Sequence, residues 1–260
     1  MDSLTVTPRL VALITGATSG IGAEFCRQLA AQHYDLVLVA RDPFRLEATA
    51  AELRSKYGVN VEVIAADLTR VEGLTPVELR AAATTFPISV LVNNAGLGLN
   101  LPFDQNSIDD EQGLLDLLVT VPMRLSHAAL GQMVHRGTGT IINIASVAAF
   151  TPRDSYGAAK AWVVSFSRWA NLHYRDRGIT VTAVAPGFVR TEFHQRMGMS
   201  TAGIPNFFWL STEPMVRAAL ADVAKRRAVS VPTIRYKMLT VVLRLLPDRL
   251  LAFGSRLARD

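Results

Sequence analysis

From residue 10 onward, short apolar runs of strand length alternate with amphipathic stretches of helix length, and that alternation leaves few folds open to the chain. Residues 10–14, 34–40, 59–65, 89–92, 140–145 and 179–185 form the apolar runs. Most are too continuously apolar for a strand with one wet face, so they read as parallel strands covered on both sides. Helical spacing is predicted over 23–32, over 43–57, and over two longer stretches at about 109–135 and 155–177. Asp42 suits an N-cap, and Pro43 suits the first helical position, where its missing N–H costs nothing. Residues 229–231 read as an edge strand. Repeated strand–helix–strand units predict an α/β fold, a doubly wound parallel sheet with helices on both faces. Ligands of such sheets sit at the carboxyl ends of the strands, where chemistry is to be sought.

Composition bounds the rest. Of 260 residues half are hydrophobic and 19% charged, enough for one large core, so 1–260 reads as a single domain. The one cysteine, Cys26, forms no internal disulfide and reads as a small buried hydrophobe. Residues 1–9 lack the basic-then-apolar layout of a secretory signal, which predicts a cytoplasmic protein. Apolar stretches fall short of the roughly 20 residues that cross a bilayer. The net charge of +5 is local: residues 225–260 carry nine Lys/Arg against Asp248 and Asp260, which leaves the rest at −2. Aromatics are not interleaved with these basic residues, which argues against nucleic acid. The histidines at 33, 127, 135, 173 and 194 show neither H-E-x-x-H nor Cys/His pairing, so no metal site is expected.

The first strand runs into Thr15-Gly16-Ala17-Thr18-Ser19-Gly20-Ile21-Gly22 and then a helix. Glycines at 16, 20 and 22 allow a tight turn, close approach of a pyrophosphate and a helix N-terminus that binds anions. The spacing differs from G-x-G-x-x-G, and no P-loop Lys-Ser/Thr follows. Farther on stand Asn93-Asn94-Ala95-Gly96 after the fourth strand, Tyr156-Gly157-Ala158-Ala159-Lys160 on a helix, and Pro186-Gly187 after the next strand. With these four motifs in order over about 8–192, the chain resembles the short-chain dehydrogenase/reductase family. The resemblance implies a Rossmann-like fold and an oxidoreductase that moves a hydride between nicotinamide and a carbonyl or alcohol.

Tyr156 and Lys160 lie four apart, on one face of a helix. A free phenol has a pKa near 10. A neighbouring ammonium, aided by oxidised nicotinamide, is expected to bring it toward working pH, so that Tyr156 protonates the carbonyl oxygen while Lys160 supports it. Ser146 resembles the family serine that hydrogen-bonds the substrate oxygen. Asn143 stands where the family usually places that serine, thirteen positions before Tyr156, whereas Ser146 is ten before it. Ser146 is preferred because Ile142-Asn143-Ile144-Ala145-Ser146 matches the family's strand end, with a loop shorter by three. Ser155 is a weaker alternative, better suited to capping. A second departure is Leu118, which aligns with the asparagine that in many members anchors a proton-relay water; a leucine cannot hold one.

The resemblance assigns the cofactor to Gly16, Thr18, Ser19, Gly20, Ile21 and Gly22 at the pyrophosphate, and to Asp67 and Leu68 at the adenine. Asn93, Ala95 and Gly96 are assigned to the ribose side, Pro186, Gly187, Val189 and Thr191 to the carboxamide side, and Tyr156 and Lys160 to the reacting end. Members that prefer NAD carry an acid at the end of the second strand, where this chain has Ala40 and then Arg41. A guanidinium there binds a 2′-phosphate, which predicts NADP(H). Arg45 either assists or is a solvated helix residue.

Residues 190–211 read as a substrate lid, with Phe193, Met197, Met199, Ile204, Phe207, Phe208 and Trp209 implying an apolar pocket; a core or dimer face has the same composition. An apolar ketone such as a 3-oxoacyl or other lipid-like compound is the expected substrate. A homodimer or homotetramer is expected as well. Residues 232–260 form a basic amphipathic tail, with Met238, Leu239, Val242, Leu245 and Leu246 among Lys237, Arg244 and Arg249. It suits an anionic membrane surface met peripherally, a partner subunit or an acidic lipid-like substrate. The alternative to an enzyme is a non-catalytic NADP(H)-binding sensor; Tyr156 and Lys160 favour the enzyme.

Overall fold

A computed structural model of the chain describes residues 9–198 and 203–247. The apolar runs become strands β1 (Val11–Thr15), β2 (Asp35–Ala40), β3 (Val61–Ala65), β4 (Ile88–Asn93), β5 (Gly139–Ile144), β6 (Ile179–Val184) and β7 (Val229–Ser230). All pair in parallel, in the spatial order β3-β2-β1-β4-β5-β6-β7. β1 and β6 are buried at every residue, so both faces of the sheet need cover. Helices supply it. On one side lie α1 (Gly20–Ala31) and α2 (Pro43–Tyr57), with Phe25 and Leu46 buried against Leu38 and Val92. On the other, Val77 of α3 (Val71–Ala82) and Leu125 of α5 (Val121–Arg136) join Leu13, Leu91 and Ile141. Strand order reverses between β1 and β4, and the crevice at their carboxyl ends is where such sheets bind ligands.

Local signals hold where the residue chemistry is strong. The Asp42 carboxylate accepts from the N–H groups of Phe44 (2.9 Å) and Arg45 (3.1 Å), and α2 begins at Pro43. Cys26 is fully buried. Outside the lid and tail segments, two helices escape the periodicity reading, α3 and the later α8 (Thr212–Ala224). α3 starts at Arg70 without a side-chain cap and carries Pro76 inside, so it lacks the ordinary start signal and contains a stop signal.

The helix expected over 109–135 is three pieces: α4 (Ile108–Leu115), a π turn over Asp116–Thr120, and α5. Pro122 has no N–H to return to the carbonyl of Leu118, and the Val121 N–H bonds instead to the Asp116 carbonyl, five residues back. Taken as one run, Ile108–Arg136 is long and apolar enough to cross a membrane, contrary to the expectation that no stretch is. Its Leu114, Leu118, Leu125, Ala129 and Met133 are buried within the protein, so one face of the run packs in the core. The helix expected over 155–177 is α6 (Ser155–Tyr174) and a 3-10 turn that Gly178 closes in the left-handed region.

Candidate active site

β1 hands the chain to the glycine turn at Thr15, whose hydroxyl accepts from the N–H groups of Asn94 (2.9 Å) and Ala95 (3.0 Å). Gly16 and Gly20 hold φ of +66° and +54°, where L side chains are strained. A Cβ on Gly22 would stand 2.2 Å from the Gly16 carbonyl oxygen. α1 then begins with neither a side-chain cap nor an acid in its first turn, so its leading N–H groups are left for an anion. A side chain would fill this cradle, and the pyrophosphate of a dinucleotide fits it.

Asn94, absent from the sequence assignment, braces the turn: its amide donates to the carbonyls of Thr15 (2.9 Å) and Gly16 (3.2 Å). Asn93 is buried, and its amide donates inside the sheet to Asn143 Oδ1 (2.8 Å) and Ser126 Oγ (3.2 Å). The doublet thus divides its labour, which spacing alone does not reveal. Beyond β2, Arg41 is exposed, and so is Asp67 after β3, while Leu68 is buried. The Asp67 carboxyl lies below its usual range. Partial burial pushes it up, but bonds from the Thr69 N–H and hydroxyl and the charges of Arg41 and Arg70 outweigh that. Arg45 pairs with Glu192 (3.1 Å), which also holds Arg196.

At the end of β5 the structure brings Ser146, Tyr156 and Lys160 together. The Ser146 hydroxyl lies close enough to the Tyr156 phenol to favour its ionised form. Lys160 Nζ sits 5.6 Å from the centre of that ring and donates to the Ile144 carbonyl at 2.7 Å. The shorter loop is taken up by a 3-10 turn over Val147–Phe150, with Ser146 Oγ accepting from Ala148 N–H (3.1 Å). Ser155 is not the cap of α6; Asp154 is, through a 2.8 Å bond from Gly157 N–H. Asn143, at the family's usual serine spacing, donates to Ser167 in the interior (2.9 Å).

The protein's own groups do not pull the phenol down as expected. Burial pushes Tyr156 up to about 12, against the lowering effect of Ser146 and with help from the Asp154 charge. Burial lowers Lys160 to about 8. Both shifts disfavour charge in an apolar setting. That setting includes the buried Leu114, Leu118 and Ala159, against which Tyr156, Leu97 and Leu99 pack, and Leu118 also abuts Gly96.

Over this wall comes the segment after β6. Thr191 lies against Gly20, so that a Cβ there would meet its methyl at 2.9 Å. Phe193, opening α7 (Phe193–Arg196), is 6.1 Å from the Tyr156 ring, and Met197 packs on Gly98 across the crevice. Val189 bridges to Leu210, and Ile204, Phe207, Phe208 and Trp209 belong to the later part of this segment; Met199 lies outside the described residues. Pro186 and Gly187 lead into this segment, and Gly187 has no room for a side chain because the Tyr236 ring lies against it. The Tyr236 hydroxyl accepts from Phe188 N–H (3.1 Å) and donates to the Phe208 carbonyl (2.7 Å).

Residues 10–201 match the family model described as short chain dehydrogenase. The chain belongs to the short-chain dehydrogenase family. This enzyme is an oxidoreductase that acts between a carbonyl and an alcohol, and the family uses a nicotinamide cofactor. It is 32% identical over 219 residues to a very-long-chain 3-oxoacyl-CoA reductase of Anas platyrhynchos, covering 82% of the enzyme and 68% of the duck protein. A solved short-chain dehydrogenase from Sphingobium yanoikuyae in complex with NADPH is 39% identical, with TM-score 0.83 over 90% of this chain and 93% of that one. A bulky-bulky ketone specific alcohol dehydrogenase from Comamonas testosteroni is 35% identical, with TM-score 0.80 over 91% and 92%.

Proposed function

We propose that the enzyme reduces an apolar, lipid-like ketone of the 3-oxoacyl kind with NADPH, and that Ser146, Tyr156 and Lys160 are its catalytic residues. The observation that carries this reading is the convergence of Ser146 and Tyr156 beside the buried Lys160, with Leu118 and Phe193 packed near the phenol. Kinship with a 3-oxoacyl-CoA reductase and a bulky-ketone enzyme agrees with an apolar pocket.

Bound nicotinamide supplies the hydride. Gly16, Thr18, Ser19, Gly20, Ile21 and Gly22 would hold the pyrophosphate, Asp67 and Leu68 the adenine, and Ala95, Gly96 and the Asn93 backbone the ribose side. Pro186, Gly187, Val189 and Thr191 would line the carboxamide, with residues 190–211 as a lid. Ala40 offers no carboxylate to repel a 2′-phosphate, and Arg41 offers it a guanidinium. At neutral pH the buried phenol is protonated, which is the form needed to give a proton to the carbonyl oxygen. Ser146 donates to the same oxygen. The Lys160 ammonium stabilises the phenolate left on Tyr156.

A screen of ketones of rising chain length, with NADPH and NADH, tests the reading through nicotinamide absorbance. Turnover is expected to rise with apolar length and to favour NADPH. Turnover confined to small polar carbonyls would overturn the substrate class.

A further inference from the structure

The last helix among the described residues, α9 (Ile234–Leu245), has two apolar faces, and only one packs on the described fold. Tyr236 and Thr240 are buried, and Leu239 packs on the core. Ile234, Met238, Val241, Val242 and Leu245, spaced to form one stripe along the helix, point outward; Met238 is 65% exposed and Leu245 79%. The stripe continues past the helix. Arg235 donates to the Phe207 carbonyl and lies over the Phe207 ring at 4.7 Å, and that ring is itself 60% exposed. Charge on the helix has one sign: from Ile234 to Leu245 the sequence holds Arg235, Lys237 and Arg244 and no Asp/Glu.

We infer that α9, together with Phe207, rests on an anionic lipid surface. An outward apolar stripe edged by cations on a helix already anchored by its other face is the arrangement of an interfacial helix. A second copy of this chain in the same place would set Arg235 and Lys237 against their own like charges. Residues 248–260 bring Arg249, Arg256 and Arg259 against two acids, which complements the stripe less well than lipid phosphates do. The same helix is tied through Tyr236 to Phe188 and Phe208, so the surface it rests on lies beside the mouth of the crevice, where an apolar substrate would enter from lipid.

Sedimentation with vesicles tests this without any activity readout, so its outcome stands apart from the proposed ketone reduction. The full-length protein is expected to bind phosphatidylglycerol/phosphatidylcholine vesicles, to release them at high salt, and to bind pure phosphatidylcholine weakly. Met238→Glu/Val242→Glu is expected to lower binding by about tenfold or more, and Lys237→Glu to lower it only on anionic vesicles. Both sites of the double variant are exposed, and unchanged circular dichroism and Tm would confirm its fold. Absence of wild-type binding to either vesicle, equal binding by the double variant, or a wild-type dimer that the double variant splits without any vesicle binding would each overturn the inference.

Discussion

Burial acts on the Tyr156 phenol and the Lys160 ammonium in opposite directions, one pushed up to about 12 and the other down to about 8, and both effects favour the neutral forms. The chain by itself therefore keeps Tyr156 a proton donor, a state suited to reduction. Tyr156→Phe should bind NADPH normally and lose about 10²–10⁴ in turnover, measured by fluorescence titration and steady-state rates. Activity within a few-fold of wild type would remove Tyr156 from the chemistry. Arg41→Ala should narrow the preference for NADPH over NADH by about 1.5–3 kcal/mol, read from the two dissociation constants. Leu118 is 1% exposed and packs with Leu114, Ala159 and Tyr156. Leu118→Asn should lower stability by about 1–3 kcal/mol through an amide short of partners, while turnover holds or rises if the amide orders a relay water. A folded, NADPH-binding variant without turnover would place Leu118 in the substrate wall instead.

At the scale of elements, the parts around the crevice are joined by single side chains. Tyr236 on α9 ties the strand exit at Phe188 to the lid segment at Phe208. Tyr236→Phe keeps the ring against Gly187 but leaves the Phe188 N–H and the Phe208 carbonyl without that partner. A loss of about 1–3 kcal/mol is expected in denaturant unfolding, together with a raised KM as the lid loosens. An unchanged unfolding midpoint would show that these backbone groups find other partners. The π turn before α5 is a comparable case, since the missing N–H of Pro122 fixes where the helix widens and so where Leu118 meets Gly96.

For the whole molecule, the buried site shapes stability against pH. Lys160 is protonated in the unfolded chain up to about the ordinary lysine value of 10.5, but in the folded chain only up to about 8. Between those values the unfolded state binds more protons, so stability rises with pH by up to an order of 3 kcal/mol. Tyr156 has the opposite sign: above pH 10 the unfolded phenol ionises while the folded one stays protonated to about 12, and stability falls. The Tm should climb from about pH 8 toward 10 and decline above it, and Lys160→Met should flatten the climb. A Tm that falls steadily from pH 8 in the wild type would contradict the burial of Lys160.

What the sequence by itself determined was whatever depends on local chemistry. Apolar runs of strand length required a covered parallel sheet, Asp42 and Pro43 started α2, and the positive-φ turn required Gly16 and Gly20. Four-residue spacing put Tyr156 and Lys160 on one helix face. The tertiary structure decided what depends on residues far apart in the chain. It set Asn94 rather than Asn93 under the glycine turn, closed the shortened loop so that Ser146 reaches Tyr156, and packed Tyr236 into the space that Gly187 leaves. It also buried Tyr156 deeply enough to shift the phenol against the direction expected from the neighbouring ammonium. Hydrogen bonds across the sheet and desolvation depend on which elements pack together, and no window of neighbouring residues contains that information.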